Sequence, residues 1–122
     1  MKNKKNKGDS ETDKVFNKTN LLKKVDGKTD MAHTILKSFM KNAPLMIEEI
    51  KDACNEKDCE YVSIYGHTIM DSSQNASAES MKDIGFDIKI AGKSGNINKI
   101  EPLIKKLEIE LEKLKIESAG LV

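Results

Sequence analysis

His67 is the side chain in this sequence whose type and predicted position best suit covalent chemistry. If residues 58–76 form one helix at about 100° per residue, a mostly apolar stripe gathers on one side. That stripe consists of Tyr61, Tyr65, Ile69, Ser72 and Ala76, with Thr68 at its edge. His67 lies roughly 170–190° from the centre of the stripe, on a face with Glu60, Ser63, Met70, Asp71 and Gln74. An imidazole there is free to act as a nucleophile, and the ordinary alternative is a solvated surface histidine.

Composition favours an all-helical protein with one hydrophobic core. The chain has 122 residues, of which 38% are hydrophobic, 34% charged and only 4% aromatic, with no Trp. This length suits one domain, and this balance favours helices over strands. Because 21 basic and 20 acidic residues nearly cancel, no overall basic field indicates nucleic acid as a partner.

No segment indicates a membrane, an export signal or a metal. No run approaches the roughly 18–20 apolar residues that a membrane-spanning helix needs, and no apolar run follows the basic segment Lys2 to Lys7. We therefore expect a cytoplasmic protein. In that reducing compartment Cys54 and Cys59 are expected to be free thiols, since their spacing is not a zinc pattern and His33 is far away in sequence. We expect neither a metal nor another cofactor.

The sequence of the first part of the chain predicts a tail followed by short helices. Residues 1–14 are expected to form a disordered basic and polar tail, and a short helix should cover about residues 16–25. The next helix begins near Thr29. Asn42 followed by Pro44 predicts that this helix stops and that a third one starts there.

The remaining sequence predicts three longer helices. Asp58 can cap the histidine-bearing helix, Ser77 is expected to cap the helix that follows, and the last helix covers about residues 98–116. The last four helices should form an antiparallel, up-down four-helix bundle with one or two short N-terminal flanking helices. We place this monomeric all-α domain at residues 15–118 and a flexible C-terminus at 119–122. Its core is expected to include Phe39, Ile50, Tyr65, Ile69, Ile84, Leu107 and Leu111.

An ordered set of segments carries a resemblance to a known family. The set runs Leu36 to Met40, Pro44, Ile47 to Ile50, Asp58, His67 to Ile69, Met81, and Ala91 to Ile97. In this order the segments resemble a histidine-containing phosphotransfer (HPt) domain of two-component signalling over about residues 17–117. Asp58 takes the place of the Asp that begins the family's active helix. His67-Thr68-Ile69 resembles the opening of its His-x-Leu-Lys-Gly motif.

The resemblance implies that His67 is a phosphoacceptor in a phosphorelay. A neutral ring nitrogen would attack the aspartyl phosphate of a receiver domain, and another receiver would later take the phosphoryl group. The expected partners are a response-regulator receiver, a hybrid sensor histidine kinase, or both. The receiver brings the acid–base groups and the Mg²⁺, so the resemblance implies a phosphotransfer intermediate with no kinase or hydrolase site of its own.

Three residues depart from the family's motif. Met70 stands at the motif's Lys, Asp71 at its first Gly, and Ser77 at a second Gly six residues later. Met70 offers no cation to the phosphoryl oxygens. Asp71 favours the imidazolium, repels a phosphoryl group and adds bulk at the docking surface. A like-charge pair at about 4 Å costs about 1 kcal/mol in water and about 4 kcal/mol at an effective dielectric constant of 20, so we expect transfer to be weakened about tenfold or more without being abolished.

Lys89 and Gln74 are expected to support the phosphate. Lys89 stands 22 residues after His67, where the family often has a polar side chain that reaches the histidine. Gln74, at i+7 on the predicted outer face, could donate a hydrogen bond to the phosphate. The alternatives are an ordinary surface lysine and a solvated glutamine.

Two functions remain open at this point. The first is a phosphorelay intermediate that carries phosphate on His67. The alternative is a degenerate HPt-like binding module that docks a receiver or kinase without transferring phosphate, which the departures at Met70, Asp71 and Ser77 favour. A hydrolase or metalloenzyme is a distant third, because the sequence offers no nucleophile–base pair and no ligand set.

Overall fold

The computed structural model describes residues 14–120, which contain helices and no strand. Residues 1–13 of the predicted tail and residues 121–122 of the predicted flexible C-terminus lie outside the described residues. The helices are α1 Lys18–Lys24, α2 Thr29–Asn55, α3 Cys59–Asn75, α4 Glu79–Lys93 and α5 Ile97–Glu117.

Helices α2 to α5 form a bundle in which each helix packs against the next along the chain, and α2 also packs against α5. Three-residue connections at 56–58, 76–78 and 94–96 join them, and connections this short make consecutive helices antiparallel. Helix α1 contacts α2 as a single short flanking helix. The predicted all-helical bundle is therefore confirmed. No helix within residues 14–120 is both long and apolar enough to cross a membrane.

The predicted break at Asn42 and Pro44 is wrong. Helix α2 has 27 residues and continues through both positions. Proline inside a helix loses one backbone hydrogen bond and costs about 3 kcal/mol. The apolar positions on both sides of Pro44 fall on the same face, however, since they recur at helical spacing. These buried positions are Leu36, Phe39, Ala43, Ile47 and Ile50. Burying each large one contributes about 1.5–3 kcal/mol, which outweighs the cost of the proline.

The hydrophobic core follows the predicted apolar stripes of the last helix and of α2. Among the predicted core residues, Phe39, Ile50, Ile69, Leu107 and Leu111 are buried, while Tyr65 and Ile84 are half-buried and pack against the core.

Two capping predictions had different outcomes. Asp58 is the N-cap of α3, as predicted, and its carboxylate accepts a hydrogen bond from the Tyr61 amide at 3.2 Å. Ser77 is not the N-cap of α4, because Ala78 takes that position without a side-chain hydrogen bond. Ser77 instead has a φ of 57° and is fully buried. A left-handed residue there closes the turn after α3, with the Ala78 amide donating to the Ser73 carbonyl at 2.9 Å.

Candidate functional site

The buried side of α3 differs from the predicted stripe. Its buried residues are Val62, Ser63, Gly66, Ile69 and Ser73. The centre of this set lies about 85° around the helix from the predicted one. Tyr61 is therefore exposed rather than buried, Tyr65 and Ser72 are half-buried, and Ser63 is buried rather than exposed.

Close packing of glycines between α3 and α4 explains why the buried side of α3 is rotated from the predicted stripe. A Cβ atom on Gly66 would lie 2.7 Å from the Lys89 backbone nitrogen, and one on Gly85 would lie 2.9 Å from the Met70 backbone nitrogen. A Cβ on Gly92 would lie 2.7 Å from the Ser63 backbone nitrogen. The two backbones thus approach where neither helix has a bulky side chain. A helical wheel weighted by large apolar residues places the buried side of α3 at the tyrosines instead.

His67 follows Gly66 and lies on the flank of α3 beside this interface. It is about 115° from the centre of the buried side, rather than opposite to it. Its side chain is 49% exposed, so the predicted exposure of the imidazole is observed. Because Gly66 is fixed against the α4 backbone, the position of the next Cα is fixed as well.

Asp71 contacts the imidazole one turn further along α3. The distance from His67 Nε2 to Asp71 Oδ2 is 3.1 Å, and the aspartate side chain is 58% exposed. An exposed contact of this kind adds only about 0–1 kcal/mol to stability. Its importance is chemical, because the carboxylate places negative charge beside the imidazole and beside any phosphoryl group bound to it.

Lys89 lies beside the histidine helix through its backbone contact with Gly66. Its side chain is half-buried and forms no ion pair within residues 14–120. Lys82, on the same helix, is engaged by Glu79 at 3.0 Å, and this hydrogen bond and its Coulomb attraction raise the pKa of the Lys82 ammonium. The Lys89 ammonium is therefore available to contact a group that binds beside α3.

The predicted supporting residue Gln74 borders a shallow groove between α3 and α4, together with Met70. Its walls are Met70, Gln74, Lys82, Asp83, Phe86 and Asp87. Phe86 is 48% exposed there, and no pattern in the sequence pointed to it. Lys89 does not line this groove, so the structure does not bring Lys89 and Gln74 together. The Gln74 carbonyl also accepts a hydrogen bond from the Lys24 ammonium of α1.

Ser77 lies apart from the exposed face and serves as the attachment point of α1. The Asn17 amide donates to the Ser77 carbonyl at 2.9 Å, and the Ser77 hydroxyl donates to Asn20 Oδ1 at 2.7 Å. Of the three departures from the motif, Met70 and Asp71 border the histidine, whereas Ser77 is buried. Nothing in the sequence alone pointed to Asn20 as its partner.

The two cysteines are half-buried free thiols at either side of the α2–α3 turn. Burial raises the pKa of the Cys54 thiol, and the nearby Glu101 and Cys59 add to that shift. Across residues 14–120 no three metal-ligating side chains come together. His33 lies on α2 and not on the histidine helix.

Comparison with known proteins identifies the fold. No protein-family model and no curated protein sequence matches this chain. The HPT domain of the Hpt sensor hybrid histidine kinase from Shewanella, a crystal structure, is similar with a TM-score of 0.71 and 24% sequence identity. The match covers 88% of this chain and 91% of that domain. With its helical bundle and similar length, the chain has the fold of an HPt domain.

Proposed function

We propose that this chain is a phosphorelay protein that carries a phosphoryl group on His67 and exchanges it with the aspartate of a receiver domain. The observation that carries the proposal is a 49% exposed imidazole in the middle of a helix of an HPt fold. A ring nitrogen forms the N–P bond, the P–O bond of the aspartyl phosphate breaks, and the receiver's carboxylate leaves with the electron pair. Return of the group to another receiver reverses these steps.

The surface around His67 supports docking of a folded partner. Ile64, one turn before the histidine, is 47% exposed, and Phe86 on α4 is 48% exposed in the groove that Met70 and Gln74 line. Exposed large apolar side chains are typical of protein interaction sites. A receiver that covers them would exclude water from the transferring phosphoryl group.

The available Lys89 ammonium supports the same function, because the motif's own lysine position is occupied by Met70. A cation on the facing helix can stabilise phosphoryl oxygens as a charge-assisted hydrogen-bond donor. We therefore assign Lys89 the supporting role. Gln74 is a second hydrogen-bond donor at the groove, further along α3.

A specific observation also favours the alternative function, a binding module that docks a receiver or kinase without transfer. Asp71 holds Nε2 of His67 at 3.1 Å and places negative charge beside the imidazole. In that case the exposed apolar side chains would bind the partner, and His67 would remain unmodified.

Labelling separates these two functions. The chain is incubated with receiver domains that carry a radiolabelled aspartyl phosphate, and the stability of any transferred label is compared in acid and in base. We expect an acid-labile label on the wild type and on His33→Gln, and none on His67→Gln, with all three variants equally helical by circular dichroism. Label that persists on His67→Gln would contradict the site. A wild type that binds receivers but never acquires label would support the binding module.

The role of Lys89 is tested against a lysine on the same helix. Lys89→Ala should slow labelling of His67, because it removes the ammonium of the residue whose backbone packs against Gly66. Lys93→Ala removes an exposed lysine one turn further on and serves as the matched control. Equal labelling rates for the two variants would rule out a special role for Lys89.

A further inference from the structure

Helix α4 presents an apolar ridge to solvent beside the histidine helix. Phe86 and Ile90 stand one turn apart on α4 and are 48% and 42% exposed. Phe86 lines the groove between α3 and α4, and both side chains line a second groove, between α4 and α5. Phe86 and Ile90, which we call the α4 ridge, therefore stand between two grooves that a partner's side chains can enter.

Acidic side chains flank this ridge. Asp83 and Asp87 line the groove between α3 and α4 and are exposed, and neither forms an ion pair within the part of the chain that the structure describes. Lys82 also lines this groove, but its ammonium lies 3.0 Å from the Glu79 carboxylate, and Asp83 attracts it less strongly. The surface around Phe86 therefore carries an excess of negative charge.

The groove continues the surface of His67 along α3. Met70 and Gln74, which line it, follow the histidine by three and seven residues, so they lie about 4.5 and 10.5 Å further along the helix axis. A protein partner covers about 800 Å² on each side of an interface, which is a patch of roughly 16 Å radius. A receiver centred on His67 therefore extends over the groove and onto Phe86.

The apolar ridge and its charged flank have different effects on binding. An exposed aromatic side chain such as Phe86 stabilises a complex when it fills a pocket from which water is excluded. Charges at the rim of an interface govern the rate of encounter and the choice of partner more than the affinity. An acidic partner would meet Asp83 and Asp87 with like charge, whereas lysine or arginine side chains would pair with them.

We infer that the α4 ridge and its acidic flank select the receiver that docks on His67, and that this receiver presents an apolar pocket bordered by lysine or arginine. This inference rests on the proposed function and names the chemistry of the partner. The residues that choose the partner then lie on α4, whereas the histidine that carries the phosphoryl group lies on α3. A substitution on α4 can therefore change the partner without changing the reacting group.

The experiment measures how tightly purified receiver domains bind the full chain. The panel of receivers is chosen to differ in the charge of the surface that borders the phosphorylated aspartate, and each is titrated calorimetrically at low and at physiological salt. We expect the tightest binders to be basic on that surface, and their affinity to fall as the salt concentration rises. The inference is wrong if acidic receivers bind as tightly as basic ones, or if no receiver binds.

Matched variants of this chain locate the effect on α4. Phe86→Ala should weaken binding of the tightest receiver about tenfold or more, whereas Ile109→Ala, which truncates a 55% exposed side chain on α5, should have little effect. Asp87→Lys should weaken binding about tenfold at low salt, whereas Glu117→Lys makes the same charge change at the end of α5 and should not. Equal affinities within either pair, for variants that melt like the wild type by circular dichroism, would contradict the inference.

Binding and labelling together separate this inference from the proposed function. A receiver that binds through Phe86 but never labels His67 would overturn the proposed function and leave the inference standing. A receiver that labels the wild type, Phe86→Ala and Asp87→Lys equally fast would do the reverse. Sedimentation equilibrium of the free chain tests whether a second copy covers the ridge. We expect a monomer, and a dimer that Phe86→Ala dissociates would assign the ridge to self-association and overturn the inference.

Discussion

Gly66 and His67 are neighbours in sequence, yet they lie on two sides of α3 that differ in how closely they are packed. On the side of Gly66, the backbones of α3 and α4 touch, and a single added carbon would overlap the Lys89 backbone. On the side of His67, the side chains are about half exposed and can be exchanged with little effect on packing. The comparison teaches that the packed side determines where the imidazole is, while the exposed side determines what it can do.

A third side of α3 is intermediate between these two. Tyr61 and Tyr65 stack there with ring centroids 5.8 Å apart and an interplanar angle of 20°. Tyr61 is exposed and Tyr65 half-buried, so the pair covers the edge of the core without belonging to it. The aromatic side chains that dominate the sequence pattern are therefore not the ones that fix the helix.

The two isoleucines of α3 test the comparison with the largest expected effect. Ile69 is fully buried, whereas Ile64 is 47% exposed. Ile69→Ala removes three buried carbons and leaves a cavity, so the free energy of unfolding should fall by about 2–5 kcal/mol. Ile64→Ala should lower it by less than about 1 kcal/mol. Urea unfolding of both variants measures the difference, and similar losses would mean that the two sides are not distinct.

A glycine substitution tests the close approach of α3 and α4. Gly66→Ala gains about 1 kcal/mol of helix propensity, but its Cβ meets backbone atoms that cannot rotate away, and overpacking costs about 1–3 kcal/mol or more. We expect a lower melting temperature despite the better helix former. Gly120→Ala is the control, because a Cβ at Gly120 has nothing within 4 Å. Equal stability of the two variants would contradict the close contact.

The exposed side is tested by restoring the motif. Met70→Lys with Asp71→Gly adds a cation and removes the repelling carboxylate, so labelling of His67 by a receiver should be about tenfold faster. The new mid-helix glycine should also lower stability by about 1 kcal/mol. A faster variant that is less stable cannot owe its rate to stabilisation. Unchanged labelling rates, measured by quenched time courses, would show that these departures are silent.

Restoring the motif also changes the expected importance of Lys89. Lys89→Ala should slow labelling strongly in the original sequence and less once a lysine stands at position 70. Comparison of the four rates gives the coupling between the two cations. Additive effects would indicate that Lys89 does not replace the missing lysine.

Ser77 offers the smallest effect and tests the buried end of α3. Ser77→Ala removes the hydrogen bond to Asn20 while keeping a side chain in left-handed backbone, so stability should fall by about 1 kcal/mol. Ser77→Gly also removes the hydrogen bond but suits that backbone conformation, so its loss should be smaller. Thermal unfolding distinguishes the variants, and a glycine variant less stable than the alanine variant would show that strain at Ser77 is unimportant.

The sequence predicted the helices wherever apolar periodicity and capping chemistry agreed. Ile69, Leu107 and the Asp58 cap were identified because each depends on residues close in sequence. The break at Pro44 was wrong because a local penalty was overcome by burial along the whole of α2. A local sequence signal such as a proline does not indicate how far tertiary packing will offset its cost.

The candidate site was predictable only in part, because some of its features depend on residues that are distant in sequence. The exposure of His67 follows from its helix, but the orientation of that helix depends on Gly66, Gly85 and Gly92, which carry no hydrophobic signal. The contact between Asp71 and Nε2 follows from i, i+4 spacing. The hydrogen bond between Ser77 and Asn20 joins residues 57 positions apart, and no local pattern predicts it.

The attachment of α1 has a consequence for how the protein opens and closes in solution. Helix α1 has seven residues, buries Leu21 and is tied to the end of α3 by the hydrogen bonds at Ser77 and Gln74. A unit this small should open by local unfolding at a lower free energy than the whole bundle. The Asn17 amide should therefore exchange its hydrogen with solvent sooner than the amides of Ile69 and Leu107. Each opening of α1 would break the hydrogen bonds that it makes to Gln74 and Ser77 at the end of the histidine helix.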